Sequence, residues 1–138
     1  MKIREAKLHD LQDIIVLNKI DDYGNPDEYI RDSIKNWQTQ VAIVGDRIVG
    51  FSLYQIIWWN TAFHALAKVH PNNQWQGIGT ALTTATENKL KEAGFDSLTS
   101  STEESNTLAR KFHEKLSYIE IWILDLPHGK EVFYRKDL

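Results

Sequence analysis

The sequence predicts an α/β fold, a mixed sheet with helices on its faces rather than a purely parallel doubly wound sheet. Three observations lead there. Seven short stretches have strand-like apolar patterning and four longer ones have helical spacing. Their order is β-α-α-β-β-β-α-β-α-β-β, so strands adjoin at the front and back of the chain. A single β-α-β unit sits in the middle, and it supplies the one connection that calls for a parallel pair.

The opening KIREA alternates like a strand. HDLQDIIVLNKI follows with Leu8, Leu11 and Ile15 on one helical stripe, Ile14 at its border and Asp10 near its start. DDYGNP breaks that helix, and Pro26 suits the first turn of a second one running through Tyr29, Ile30, Ile34 and Trp37. QVAIV and RIVGFSLYQII form a hairpin across the tight turn Gly45-Asp46. WWNT reads as a loop and AFHALAKV as the next strand. A helix then carries Ile78, Ala81, Leu82, Ala85 and Leu90 inward and stops at Gly94. DSLTSST is a strand, and SNTLARKFHEKL a helix with Ser105 or Asn106 as its N-cap. YIEIWIL and EVFYRK close the chain as strands around a loop from Asp125 to Lys130.

With 138 residues, 42% apolar and 25% charged, the chain has the size and composition of one globular domain spanning 1–138. The net charge of -3 and the scattered Lys and Arg leave no basic stripe, so nucleic acid is not an expected partner. Cysteine is absent, which removes disulfides, thiolate metal ligands and cysteine nucleophiles. The start MKIREAKLHD has no apolar leader core, and IVGFSLYQIIWW is too short and polar to span a bilayer. No membrane role and a cytoplasmic setting are therefore expected. The histidines His9, His64, His70, His113 and His128 show no metal-ligand spacing, so no metal is expected.

Residues 69–82, VHPNNQWQGIGTAL, hold the most informative stretch. A strand running through a glycine-spaced turn into a helix presents unpaired N–H groups and the positive end of a helix dipole, an anion seat. The dinucleotide pattern GxGxxG fails because Leu82 stands at its third glycine. The triphosphate loop fails because no lysine follows Gly79. An ordinary packing turn would explain two glycines taken alone.

The wider pattern is more specific. Val69-x-Pro71, then Gln74-x-x-Gly77-x-Gly79, resembles the acetyl-coenzyme A signature of the GNAT superfamily of N-acetyltransferases. Downstream, SNTLARKFHEKLSY resembles that superfamily's second landmark, N-x-x-A-x-x-F/L-Y-E-K-L-G-F, at the expected separation. The resemblance is strong from Phe63 to Tyr118. It implies a GNAT-type mixed, largely antiparallel sheet of six to seven strands with about four helices on its faces.

It also implies roles. The backbone of Trp75, Gln76, Gly77, Ile78, Gly79 and Thr80 would bind the pyrophosphate of acetyl-CoA, with Gln74 shaping the loop's start. Ala67, Lys68 and Val69 would pair their backbone with the pantetheine arm, and Asn106 would hydrogen-bond it. The implied reaction moves an acetyl group to a primary amine by direct attack in a ternary complex. The superfamily's usual acid, a tyrosine, is replaced here by His113, seven residues from Asn106 on one helical face. Whether His113 is the proton donor or a half-exposed helix residue stays open. A second departure is Ser117 in place of glycine, where a left-handed residue costs about 1 kcal/mol more.

The general base is less marked, because Ala65 and Ser101 occupy positions where the superfamily often has glutamate. His64 and Glu103 are the candidates, although strand alternation turns His64 away from Phe63 and Ala65 unless a bulge intervenes. An amine delivered unprotonated needs no base. Trp58 and Trp59 lie where the superfamily often forms its acceptor pocket, although core or edge packing is the commoner role of tryptophan. Asp21, Asp22, Asp27 and Glu28 lie where acceptors often enter, and a surface loop explains them equally well. A non-catalytic acyl-CoA-binding sensor or partner module is the alternative function. Acceptor identity is open, as is oligomeric state, with a homodimer the common choice.

Overall fold

A computed structural model describes residues 1–21 and 24–138. Its regular elements are β1 (Lys2–Glu5), α1 (Leu11–Asn18), α2 (Asp27–Lys35), β2 (Thr39–Val44), β3 (Arg47–Ile57), β4 (Thr61–Val69), α3 (Ile78–Glu92), β5 (Ser97–Glu103), α4 (Thr107–Lys115), β6 (Ile119–Leu126) and β7 (Gly129–Asp137). Short 3₁₀ turns cover Leu8–Asp10 and Pro71–Asn73. The seven strands form one sheet in the order β1-β2-β3-β4-β5-β7-β6. All neighbours are antiparallel except β4 and β5, the two strands joined through α3. This is the mixed α/β sheet with four helices expected from the element order.

Alternation along the strands separates two cores. Val41, Phe51 and Leu53 meet Ile14, Leu17, Ile30 and Ile34 from α1 and α2 on one face. On the other face, Ala42 and Val49 pack with Ile78 and Leu82 of α3. Further along that face, Leu98, Val132 and Tyr134 pack with Leu90 and Tyr118. Ile14, Ile30 and Leu53 are fully buried, and each such side chain contributes about 1.5–3 kcal/mol.

Several boundaries differ from the sequence reading. The first helix begins at Leu11, and Leu8 is exposed in the preceding 3₁₀ turn. There Asp10 accepts two hydrogen bonds from the Arg4 guanidinium at 2.8 and 3.0 Å, which hold its carboxyl below the usual range and tie the turn to β1. Trp37 lies beyond α2 at φ 60° and is exposed, so it belongs to no helical stripe. The last loop shrinks to Pro127 and His128, because β6 and β7 stay paired from Ile119↔Arg135 out to Leu126↔Gly129, with one register shift between Glu120 and Trp122. Ser117 takes φ 70°, the left-handed helix end expected at a position without glycine.

Candidate functional site

The one parallel junction in the sheet is short. β4 and β5 share only two rungs, Phe63↔Thr99 and His64↔Ser100. Immediately beyond them, β4 carries a bulge. Leu53 pairs with Leu66 and Tyr54 with His64, which leaves Ala65 without a partner. A bulge bends and over-twists its strand, and from this point the two strands part. The backbone of Ala65–Val69 therefore turns an unpaired edge toward the space between them.

That space opens into a cleft of about 590 Å³. Ala67 and Val69 line it from β4, Gln74, Trp75 and Gly77 to Thr80 from the turn and the start of α3, and Asn106, Ala109 and Phe112 from α4. The turn ends with Gly77 at φ 80°, left-handed backbone that favours glycine. Gly77 is the N-cap of α3, and no side chain caps that helix. The first N–H groups of a fifteen-residue helix thus remain for an anion in the cleft. Gln74 steadies the approach, its amide nitrogen donating to the Val69 carbonyl at 3.4 Å. Asn106 caps α4 by accepting from the Ala109 N–H at 3.0 Å, which settles the choice between Ser105 and Asn106 and leaves its amide nitrogen to donate.

Two of the expected cleft residues lie elsewhere. Lys68 points to the opposite face, where its ammonium donates to the Asn18 carbonyl at 2.7 Å and to Asp21 at 2.9 Å. Gln76 is exposed outside the cleft lining. For both, any part in binding falls to the backbone. The sequence reading passed over Leu108, Lys111, Phe112 and Lys115, which line the α4 wall. Their three- and four-residue spacing is one helical face, a signal available in SNTLARKFHEKL. The two lysines set positive charge along the rim.

Behind the cleft, and not among the residues that line it, a cluster of side chains gathers where the β4–β5 pairing ends; we call it the apex. His64, more than nine-tenths buried, stands on the last β4–β5 rung beside Ser100. Its Nε2 is buried and has no hydrogen-bond partner among the described residues. Desolvation first, and then the neighbouring His113, lower its pKa from 6.5 to about 4, so the ring is neutral at pH 7. The bulge lies one residue past His64, so alternation still holds there: His64 shares the α3 face with Ala62, while the Phe63 ring meets Phe133 at 6.3 Å.

His113 reaches the same apex from α4. Its Nδ1 lies 2.7 Å from the Ala109 carbonyl and its Nε2 2.8 Å from the Ser100 hydroxyl. A carbonyl only accepts, so Nδ1 carries the proton, and in the neutral ring Nε2 accepts from Ser100. Burial lowers the pKa of His113 and favours that neutral form. The ring stacks on Tyr134 at 4.5 Å and meets Tyr118 edge-on at 5.6 Å. His113 is thus held by four neighbours, not left half-free on the helix surface.

The remaining candidates stand apart. Glu103 ends β5 on the side where the strands part; its side chain is exposed and outside the cleft lining, and its carbonyl accepts from the Asn106 N–H at 3.0 Å. Trp58 and Trp59 form the exposed β3–β4 turn, at the opposite end of β4 from the glycine turn. Asp27 pairs with Lys19 at 3.2 Å, and Asp22 lies outside the described residues. Among the described residues, no group of three or more His, Cys, Asp or Glu is placed to hold a metal, and no helix is long and apolar enough to cross a membrane.

The model of the Acetyltransferase (GNAT) family matches residues 8–118. No curated protein matches the sequence. Among solved structures, a GNAT-family acetyltransferase from Bacillus cereus superposes with a TM-score of 0.85 at 25% identity, covering 99% of this chain and 96% of that one. A ribosomal-protein-alanine N-acetyltransferase from Brucella melitensis gives 0.86 at 18% identity, with both chains covered completely. A Salmonella typhimurium protein solved with its cofactor acetyl-CoA gives 0.84 at 17% identity, covering 99% and 93%. The two lower-identity likenesses show the same fold.

Proposed function

The chain belongs to the GNAT acetyltransferase family, whose co-substrate is acetyl-CoA, and we propose that it moves the acetyl group to a primary amine by direct attack in a ternary complex. The observation that carries this reading is the parting of β4 from β5 beyond His64↔Ser100, which leads an unpaired strand edge to the uncapped start of α3. The backbone from Trp75 to Thr80 would seat the pyrophosphate, helped by Lys111 and Lys115 on the rim. The edge at Ala67, Lys68 and Val69 would pair with the pantetheine amides, and the free Asn106 amide nitrogen would donate to it. This arrangement directs the thioester toward the apex.

At the apex the two histidines suit different tasks. A ring that titrates near 4 is a poor base at pH 7, so His64 fits better as an N–H donor to the oxygen of the tetrahedral intermediate. His113 is neutral with an unprotonated Nε2 that accepts from the Ser100 hydroxyl, through which a proton can be relayed. It takes the proton shed as the amine attacks and returns it to the departing thiolate. Glu103 touches neither group and has no place in this scheme. The acceptor is a primary amine entering unprotonated; the ribosomal protein acetylated by the Brucella relative makes a protein N-terminus one member of the panel to test.

The test combines calorimetry with acetyl-CoA and an assay of CoA release over polyamines, amino acids, aminoglycosides and peptide N-termini. Acetyl-CoA is expected to bind, and one amine class to accelerate release. His113→Ala should cut turnover on the order of a hundredfold while leaving acetyl-CoA affinity unchanged. Binding with no transfer to any amine would instead support the sensor module, and unchanged turnover in the variant would remove His113 from the mechanism.

A further inference from the structure

Ser100, His113 and the Ala109 carbonyl form a hydrogen-bonded series that direct transfer to an amine does not require. The Ser100 hydroxyl lies 2.8 Å from His113 Nε2, and His113 Nδ1 lies 2.7 Å from the Ala109 carbonyl. A nucleophile bonded to a base, with the base oriented by a third group, is the arrangement that activates serine hydroxyls for acyl transfer. The carbonyl fixes the tautomer that leaves Nε2 free to take the serine proton, and the Tyr134 stack at 4.5 Å fixes the ring plane. Ser100 also lies on the last rung before β4 and β5 part, opposite His64. On that rung the buried Nε2 of His64 has no hydrogen-bond partner among the described residues, and as an N–H it would donate to an oxyanion formed there.

We propose that Ser100 is a second nucleophile of this site, which takes the acetyl group from acetyl-CoA when no amine is bound and gives the chain an amine-independent thioester hydrolase activity. The proposal rests on the acetyl-CoA reading above. Ser100 Oγ attacks the thioester carbonyl as its proton moves to His113 Nε2. The tetrahedral intermediate collapses by breaking the carbon–sulfur bond, and the leaving sulfur takes the proton from the imidazolium, giving CoA thiol and an acetyl ester on Ser100. Water then attacks the ester and gives its proton to His113. The serine oxygen leaves with that proton, and acetic acid departs, releasing its remaining proton to solvent as acetate. No oxidant, reductant or metal is needed.

The experiment uses the whole chain and acetyl-CoA with an isotopic label in the acetyl group, in amine-free buffer. Acid-quenched samples are read by intact mass and peptide mapping, and thiol release is followed in parallel. One acetyl group is expected on the peptide containing Ser100, together with thiol release that Ser100→Ala lowers on the order of a hundredfold or more. Ser100→Cys, which keeps a nucleophile beside His113, should be labelled again, so loss of labelling in the alanine variant through misfolding is separable from loss of the hydroxyl. Calorimetry on each variant should show acetyl-CoA binding unchanged. Binding by the wild type with label absent or on another residue, or with thiol release equal to that of Ser100→Ala, overturns the serine proposal alone. Failure of the wild type to bind acetyl-CoA overturns the acetyltransferase reading as well.

Discussion

The glycine turn at the mouth of the cleft and the histidine apex at its end are built by opposite means. At the mouth, Trp75 and its neighbours are exposed, and the binding groups are backbone N–H donors released by Gly77 and an uncapped helix. At the apex, the groups are packed side chains, with His64, Ser100 and Tyr134 buried and His113 partly so. A backbone seat tolerates varied side chains and depends on local conformation. A buried side-chain cluster depends on register, tautomer and neighbours from four elements. Damage at the mouth should therefore appear as lost affinity, and damage at the apex as lost chemistry or stability.

The largest separation of the two should come from acid. Buried neutral, His64 has a folded pKa of about 4 against 6.5 when unfolded. Below 6.5 the unfolded chain binds the proton that the folded one refuses, so stability is fully present above 6.5 and falls as pH drops toward 4. This single group accounts for a loss on the order of 3 kcal/mol, and His113, shifted the same way, adds to it. Urea unfolding across that window, wild type against His64→Gln, should show a shallower slope in the variant. Equal slopes would mean His64 is hydrated in solution.

A smaller effect should come from the edge of the same cluster. Tyr118 donates to the buried Glu87 carboxylate at 2.8 Å, and Lys136 donates to its other oxygen at 3.1 Å. Burial, with Glu87 beside it, pushes the Tyr118 phenol up and keeps it protonated as a donor. Tyr118→Phe leaves one carboxylate oxygen short of a partner and should cost about 1–3 kcal/mol in unfolding free energy. Acetyl-CoA affinity should not move; a parallel fall in affinity would show that mouth and apex are coupled.

At the mouth, Gly79→Ala is the matching test. The added Cβ would meet the Phe112 ring at 3.5 Å, an ordinary contact, so thermal stability should hold. The same methyl stands where the backbone must approach phosphate, and acetyl-CoA affinity should fall about tenfold, roughly 1.4 kcal/mol by calorimetry. Smallest is a change remote from both regions. Trp58 and Trp59 hold φ 48° and 56° in an exposed turn, conformations that suit Asn and Gly. The double change to Asn-Gly should raise stability by about 1 kcal/mol in a denaturation midpoint and leave acetyl transfer unaltered. A loss of transfer would place the tryptophans in the acceptor site.

The mouth of the site was legible in the residues because its physics is local. Gly77 and Gly79 before a helical stripe, and Asn106 three residues before Ala109, specify conformations that neighbouring residues alone dictate. Lys111 and Lys115 were equally readable from helical spacing, though the motif drew attention to Asn106 and His113 instead. Element order and the mixed sheet followed from periodicity, which is also local.

The apex depended on distant pairings. That β4 bulges at Ala65, that it keeps two rungs with β5, and that His113 turns onto Ser100 and Tyr134 are outcomes of packing among strands and a helix. Residues 64, 100, 113 and 134 carry no shared spacing, so nothing along the chain marks them as one group. The sequence by itself determined the left-handed turn and uncapped helix start at the mouth, through backbone conformations encoded within a few residues. Only the tertiary structure decided which side chains gather behind the cleft and in which protonation state, because burial and long-range register, not propensity, set both.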